Sequence, residues 1–131
     1  MTIFPKTIIL LGSGELGKEV GIAAQRLGCQ VIACDRYTGA PAMQIADKAE
    51  IFDMTDPKKL IEVVNKYKPD LVIPEIEALA VDSLISLEEK GIKIIPNARA
   101  TSITMNRDKI RNLASEKLGL KTANFKYASN K

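Results

Sequence analysis

Two carboxylates and a glycine turn carry the chemistry this sequence could do. Glu15 lies within Gly12-Ser13-Gly14-Glu15-Leu16-Gly17, a G-x-G-x-x-G pattern, and Glu75 lies in VIPEIEA, two residues before Glu77. A glycine turn that follows an apolar strand and opens a helix offers backbone N–H groups and the positive end of the helix dipole to an anion. Asp35 ends the next apolar run, where a dinucleotide enzyme places its ribose-binding acid. The pattern by itself points to NAD. Glu15 argues the other way: its charge suits the helix dipole, but it would repel a pyrophosphate laid over the same turn. A carboxylate there fits a hydroxyl or an amine. Together the turn, Glu15 and Glu75 suggest a small ligand with one anionic end and one end rich in donors. Plainer readings stand beside this one. Glu15 can cap its own helix, Glu77 can be an ordinary exposed loop acid, and Asp35 can be a structural anchor for the loop.

The rest of the composition narrows the chemistry. The 131 residues contain no histidine, which removes histidine triads, histidine metal sites and histidine acid–base catalysis from this segment. Cys29 and Cys34 would stand roughly 16 Å apart on an extended strand at about 3.3 Å per residue. That is beyond the roughly 7 Å between Cα atoms that a disulfide tolerates, so both read as thiols in a reducing cytoplasm. The net charge of +3 suits a small anionic ligand without demanding nucleic acid, and with no Trp and scattered Tyr and Phe no base-stacking platform stands out. A basic run, Arg107, Lys109, Arg111, Lys117 and Lys121, is broken by Asp108 and Glu116 and reads mostly as a solvated helix face. No apolar run approaches the ~20 residues of a membrane span, and MTIFPKT shows no secretory signal. Neither a membrane nor a nucleic acid is expected as partner.

These residues need a scaffold. Apolar runs at Thr7–Leu11, 30–34, 49–54, 70–74 and 92–96 read as five strands. Between them lie helical patterns. From Glu15 onward Leu16, Val20, Ala23 and Leu27 recur at helical spacing, and Gly28 ends the run. Thr55 or Asp56 can cap a second helix that has Pro57 at its first position, Leu60, Val64 and Tyr67 on one face, and Pro69 as its stop. Residues 78–91 form a third, closed by Gly91. Residues 98–118 look largely helical, with Ile110, Leu113, Ala114 and Leu118 on one face. Continuous apolar strands alternating with helices predict an α/β fold, a Rossmann-like doubly wound parallel sheet of about five strands. Its ligand crevice is expected between the carboxyl ends of the first and fourth strands.

LLGSGELGKEV, DRYTGAPAMQIAD, VIPEIEALA and ARATSITMNRDKIRNLASEKLGLKTANFKYA, in that order, resemble the N-terminal region of formate-dependent phosphoribosylglycinamide formyltransferase, an ATP-grasp purine enzyme. The resemblance runs from about Ile8 to Ala128. It implies a Rossmann-like pre-ATP-grasp substrate-binding domain over residues 1–120, with 121–131 as linker or start of an ATP-grasp domain lying beyond. It implies ATP and Mg2+ as cofactors of the whole enzyme, neither bound by this segment alone. It also implies a cytoplasmic homodimer that formylates glycinamide ribonucleotide with formate, through formyl phosphate, giving formylglycinamide ribonucleotide, ADP and phosphate. Carried over by motif, Gly14, Glu15 and Leu16 of GSGELG and Glu75 of PEIEA fall at substrate-binding positions, and Arg107 of TMNRDKIR at an ATP-contacting one. No catalytic residue or metal ligand is carried over, and the segment alone is expected to be inactive. Two other readings remain open: a stand-alone NAD(P)-binding regulatory module, and a non-catalytic segment that pairs with other subunits.

Overall fold

The computed structural model describes residues 6–129, so the first five residues of the N-terminal stretch and the last two of the chain lie outside it. Its elements follow the alternation read above: β1 (Thr7–Leu11), α1 (Glu15–Arg26), β2 (Gln30–Asp35), a 3-10 turn (Pro41–Gln44), β3 (Lys48–Ile51), α2 (Pro57–Tyr67), β4 (Leu71–Pro74), α3 (Val81–Glu89), α4 (Ala98–Thr104), α5 (Arg107–Asn112) and a π-helical turn (Leu113–Lys117). Every strand pairing is parallel, in the order β3-β2-β1-β4. The chain therefore runs from β1 outward through β2 and β3, then crosses back to β4 on the other side of β1. That reversal is the switch point at which doubly wound sheets open a crevice.

The pleat divides β1 between two cores. Ile9 and Leu11 face a larger cluster with Ile32, Cys34, Leu60, Val64, Val72, Leu84 and Leu87, under α2 and α3. Ile8 and Leu10 face a smaller one with Val31, Ala33, Ala24 and Ala42, under α1 and the 3-10 turn. Both faces are covered, which is why β1 and β2 read as apolar runs rather than alternating patterns. α2 is bounded as its sequence dictates. Asp56 accepts from the N–H groups of Lys58 and Lys59, Pro57 takes the first turn, and Lys68 at φ +45° before Pro69 ends it. Cys29 and Cys34 are both buried thiols with no disulfide between them.

Four expectations need correction. The segment 92–96 is no ladder strand: Ile94 makes a single parallel bridge to Val72, and the X-Pro bond before Pro96 is cis. Proline lacks the N–H that a strand would need to extend this pairing, so the sheet has four strands. The third strand begins and ends earlier than 49–54, leaving Phe52 and Met54 to fold into the core. The helical region from residue 98 is broken at Met105–Asn106, where the Asn106 side chain caps α5, and Leu118 is exposed while Ile110, Leu113 and Ala114 are half-buried. The fourth correction concerns α1. Leu16, Val20, Ala23 and Leu27 all face outward, and the buried stripe is Gly17, Gly21 and Ala24. A Cβ on Gly17 would stand 2.8 Å from the Gly12 carbonyl oxygen, and one on Gly21 would stand 2.8 Å from Ile45 Cδ1. Small residues let α1 sit against the sheet at a distance that larger side chains would forbid.

Candidate functional site

The glycine turn is held by its neighbours through backbone hydrogen bonds. Gly12 N–H and the Ser13 hydroxyl both donate to the Cys34 carbonyl, at 3.0 and 2.9 Å. Ser13 N–H donates to Asp35 Oδ2 at 2.8 Å, and Arg36 N–H to Oδ1 of the same carboxylate at 2.7 Å. Asp35 is buried, and both of its oxygens are engaged by main-chain donors. This is the loop-anchor role, and it ties the turn to the end of β2. The residues after β4 are pinned in the same way, with Glu75 and Ile76 donating from their N–H groups to the Leu11 carbonyl at 2.8 and 3.3 Å.

These anchors frame a cleft of about 930 Å³ across the carboxyl ends of the strands. Gly14, Glu15 and Leu16 form one wall and Glu75, Ile76 and Glu77 another. Gly14, Glu15, Leu16 and Glu75 are thus brought together as their positions in the sequence suggest. Gly14 is the N-cap of α1, no side chain caps the helix start, and a Cβ there would meet nothing within 4 Å. The main chain at Gly14 is open to a ligand. Leu16 is 71% exposed and contributes its apolar side chain to the rim.

Gly12 has a different task. It has φ +114°, and a Cβ on it would lie 2.5 Å from both Glu75 Oε2 and Ile76 Cγ2. The glycine makes room for the Glu75 carboxylate beside the turn. That carboxylate is half-buried, and among the described residues no hydrogen-bond donor reaches it. Burial raises its pKa above the ordinary carboxylate value, and the nearby charges of Asp35 and Glu15 raise it further.

Arg107 does not line the cleft. It begins α5, and its guanidinium lies 3.6 Å from the Glu77 carboxylate in an exposed ion pair. Glu77, expected to be a plain loop acid, therefore connects the cleft wall to the start of α5. A smaller cavity of about 190 Å³ lies on that side, with Glu75, Ile76 and Glu77 on one wall and Pro96, Thr101 and Met105 on the other. The loop after β4 divides the two spaces.

Sequence reasoning passed over the far arm of the cleft, where Arg36 and Tyr37 follow β2, Ile51 ends β3 and Asp53 follows it. Tyr37 and Ile51 are each about half exposed. The signal available was positional, since residues just past the carboxyl ends of parallel strands face the crevice. Among the described residues no group of three or more His, Cys, Asp and Glu side chains is placed to hold a metal ion, and no helix is long and apolar enough to cross a membrane.

Comparison with known proteins gives this geometry a lineage. Residues 5–105 match the family described as the ribonucleotide synthetase preATP-grasp domain. A formate-dependent phosphoribosylglycinamide formyltransferase of Synechococcus sp. (strain CC9311) is 71% identical over 130 residues, which is 99% of this chain and 33% of that protein. The chain thus spans about a third of the length of the curated relatives it matches. Among solved structures, glycinamide-RNase-transformylase T from Mycobacterium tuberculosis superposes with a TM-score of 0.87 at 41% identity, over 95% of this chain and 36% of that one. The N5-carboxyaminoimidazole synthetase from Staphylococcus aureus complexed with ADP gives a TM-score of 0.72 at 25% identity, over 86% of this chain and 31% of that one. With the parallel order β3-β2-β1-β4 and a cleft at its switch point, the chain belongs to the ribonucleotide synthetase preATP-grasp domain family.

Proposed function

We propose that this chain is the ribonucleotide-binding domain of an enzyme that formylates glycinamide ribonucleotide with formate and ATP, through formyl phosphate. The observation that carries the reading is the 71% identity, over almost the whole chain, to a protein named for that reaction. The cleft supports it physically. Glycinamide ribonucleotide offers a phosphate, ribose hydroxyls and an amine. The open main chain at Gly14 and the rim at Leu16 receive its body, and the carboxylates of Glu15 and Glu75 accept hydrogen bonds from its hydroxyls and amine. Holding that amine in line for attack contributes mainly by positioning. Arg107, at the edge nearest the smaller cavity, is the residue we assign to ATP. The S. aureus synthetase solved with ADP supports nucleotide use in the wider group.

ATP brings Mg2+ in such chemistry. Among the described residues no carboxylate cluster is set to hold it, so we assign no residue of this chain to the metal and route no step through it. A cytoplasmic homodimer, with an ATP-grasp region following a boundary near residue 120, belongs to the same proposal.

A free-standing NAD(P) module is disfavoured because both Asp35 oxygens already accept main-chain hydrogen bonds and Glu15 stands in the first turn of α1. Calorimetry decides the matter. Heat of binding with glycinamide ribonucleotide and none with NAD(H) or NADP(H) is the expected result. Saturable NAD(P) binding with no response to the ribonucleotide overturns the reading.

A further inference from the structure

Two carboxylates of the cleft, Glu15 and Glu75, accept no hydrogen bond among the described residues, and of these two Glu15 is exposed while Glu75 is half-buried. Asp35 is held by two main-chain donors, Asp53 accepts from both the N–H and the hydroxyl of Thr55, and Glu77 faces Arg107. Glu75 is half-buried with no hydrogen-bond donor among the described residues, and glycine at position 12 makes room for its oxygen. It also belongs to the wall shared by the ribonucleotide cleft and the smaller cavity on the Arg107 side. An amine bound in the first space and an acyl phosphate arriving from the second would meet beside this side chain.

We propose that Glu75 is the proton acceptor in formyl transfer as well as a ligand of the amine. The inference rests on the reaction proposed above. In the step, the lone pair of the neutral amine forms the new C–N bond to the formyl carbon. The bond from that carbon to the phosphate oxygen breaks, and the phosphate leaves with its electron pair. The proton that the nitrogen can no longer hold passes to Glu75, which then gives it to the departing phosphate and returns to the carboxylate form. Products are the formamide and hydrogen phosphate.

The surroundings favour a stronger base than a solvated glutamate. Asp35 from β2 and Glu15 from α1 add negative charge near it and oppose its ionisation, as does its own burial. Among the described residues Arg107 of α5 is paired with Glu77, and Arg36, past β2 in the same cleft, acts on Asp53. A base whose pKa is raised toward the working pH transfers protons more effectively.

The test uses an intact enzyme in which this chain replaces the matching 130 residues of the 71%-identical Synechococcus relative. For Glu75→Gln we expect kcat at saturating ribonucleotide to fall by about 10²- to 10⁴-fold, the usual range for a lost general base. The part of the acid limb of the pH–rate profile that titrates with a carboxyl group should disappear in this variant, leaving only the part set by protonation of the attacking amine, and Glu75→Asp should restore part of both the rate and that limb. Calorimetry should still detect ribonucleotide binding to Glu75→Gln. A kcat within about threefold of the unsubstituted enzyme, far outside that range, overturns the assignment. So does a defect confined to KM with the acid limb unchanged; Glu75 would then only bind, and the proposed function would stand. An unsubstituted chimera that folds but neither binds the ribonucleotide nor turns over would instead overturn the proposed function itself.

Discussion

The tightest constraint in the cleft is the space between Gly12 and the loop after β4, and Gly12→Ala tests it directly. An alanine there faces two costs. At φ +114° an L residue is strained, by about 1–3 kcal/mol. Its methyl carbon would also lie 2.5 Å from both Glu75 Oε2 and Ile76 Cγ2, and 3.1 Å from the Ile76 main-chain nitrogen. Forcing a carbon into so full a space costs about 1–3 kcal/mol more. The sum, about 2–6 kcal/mol, is a large part of the 5–15 kcal/mol that holds a domain together. Urea denaturation followed by circular dichroism measures it, with Gly14→Ala as the control. Gly14 has an ordinary φ of −71° and nothing within 4 Å of the added carbon, so its cost should stay within about 0.5 kcal/mol. A double-mutant cycle identifies the obstruction. Glu75→Ala removes one of the two close contacts and leaves Ile76, so it should return about 1 kcal/mol to the Gly12→Ala background. Equal costs at Gly12 and Gly14, or strict additivity between Gly12→Ala and Glu75→Ala, would refute the reasoning.

Other expectations follow from the same geometry. Gly14→Ala should leave the fold intact yet weaken glycinamide ribonucleotide binding by about tenfold or more, the equivalent of one lost main-chain contact, as read by calorimetry. Because the folded state raises the Glu75 pKa, it binds more protons than the unfolded chain between the ordinary carboxyl range and the raised value. Stability therefore falls as pH rises through that window. Glu75→Gln should accordingly stabilise the chain at neutral pH, and the gain should vanish at acid pH in thermal melts. Asp35→Asn leaves one of two buried main-chain donors facing an amide group, and should cost about 1–3 kcal/mol in denaturation midpoint analysis. Burial, with the charges of Glu50 and Asp35 adding to it, pushes the Cys34 thiol up to about 12; its alkylation at pH 8 should therefore proceed only as fast as the chain unfolds.

Much of this arrangement is legible in the sequence because strong local signals and the fold agree. The apolar runs of β1 and β2, the Asp56-Pro57 start of α2 and the proline at the end of β4 each carry a backbone requirement that tertiary structure does not override. Glu75 could be placed for the same reason, since a strand that ends in Pro74 delivers the next residue to the crevice. The outward turn of Leu16, Val20, Ala23 and Leu27 was not legible. Periodicity marks an apolar stripe but not which stripe is buried, and close helix–sheet contact favours glycine and alanine, which carry little hydropathy. The division between 92–96 and a true strand depends on one bridge, which no propensity resolves. The far arm at Tyr37 and Ile51 was hidden because the ends of β2 and β3 could be placed only to within a few residues.

The seat of α1 couples parts of the molecule that sequence separates. Gly17 sits so close to the Gly12 carbonyl that the seat of the helix and the mouth of the cleft share one contact. A bulkier residue at position 17 would tip the helix away from the sheet and carry Gly14 and Glu15 with it, widening the aperture that Glu75 faces. Residues beneath the cleft thus set where Gly14 and Glu15 stand, and a screen for altered ligand binding should recover substitutions at position 17 as well as on the cleft wall.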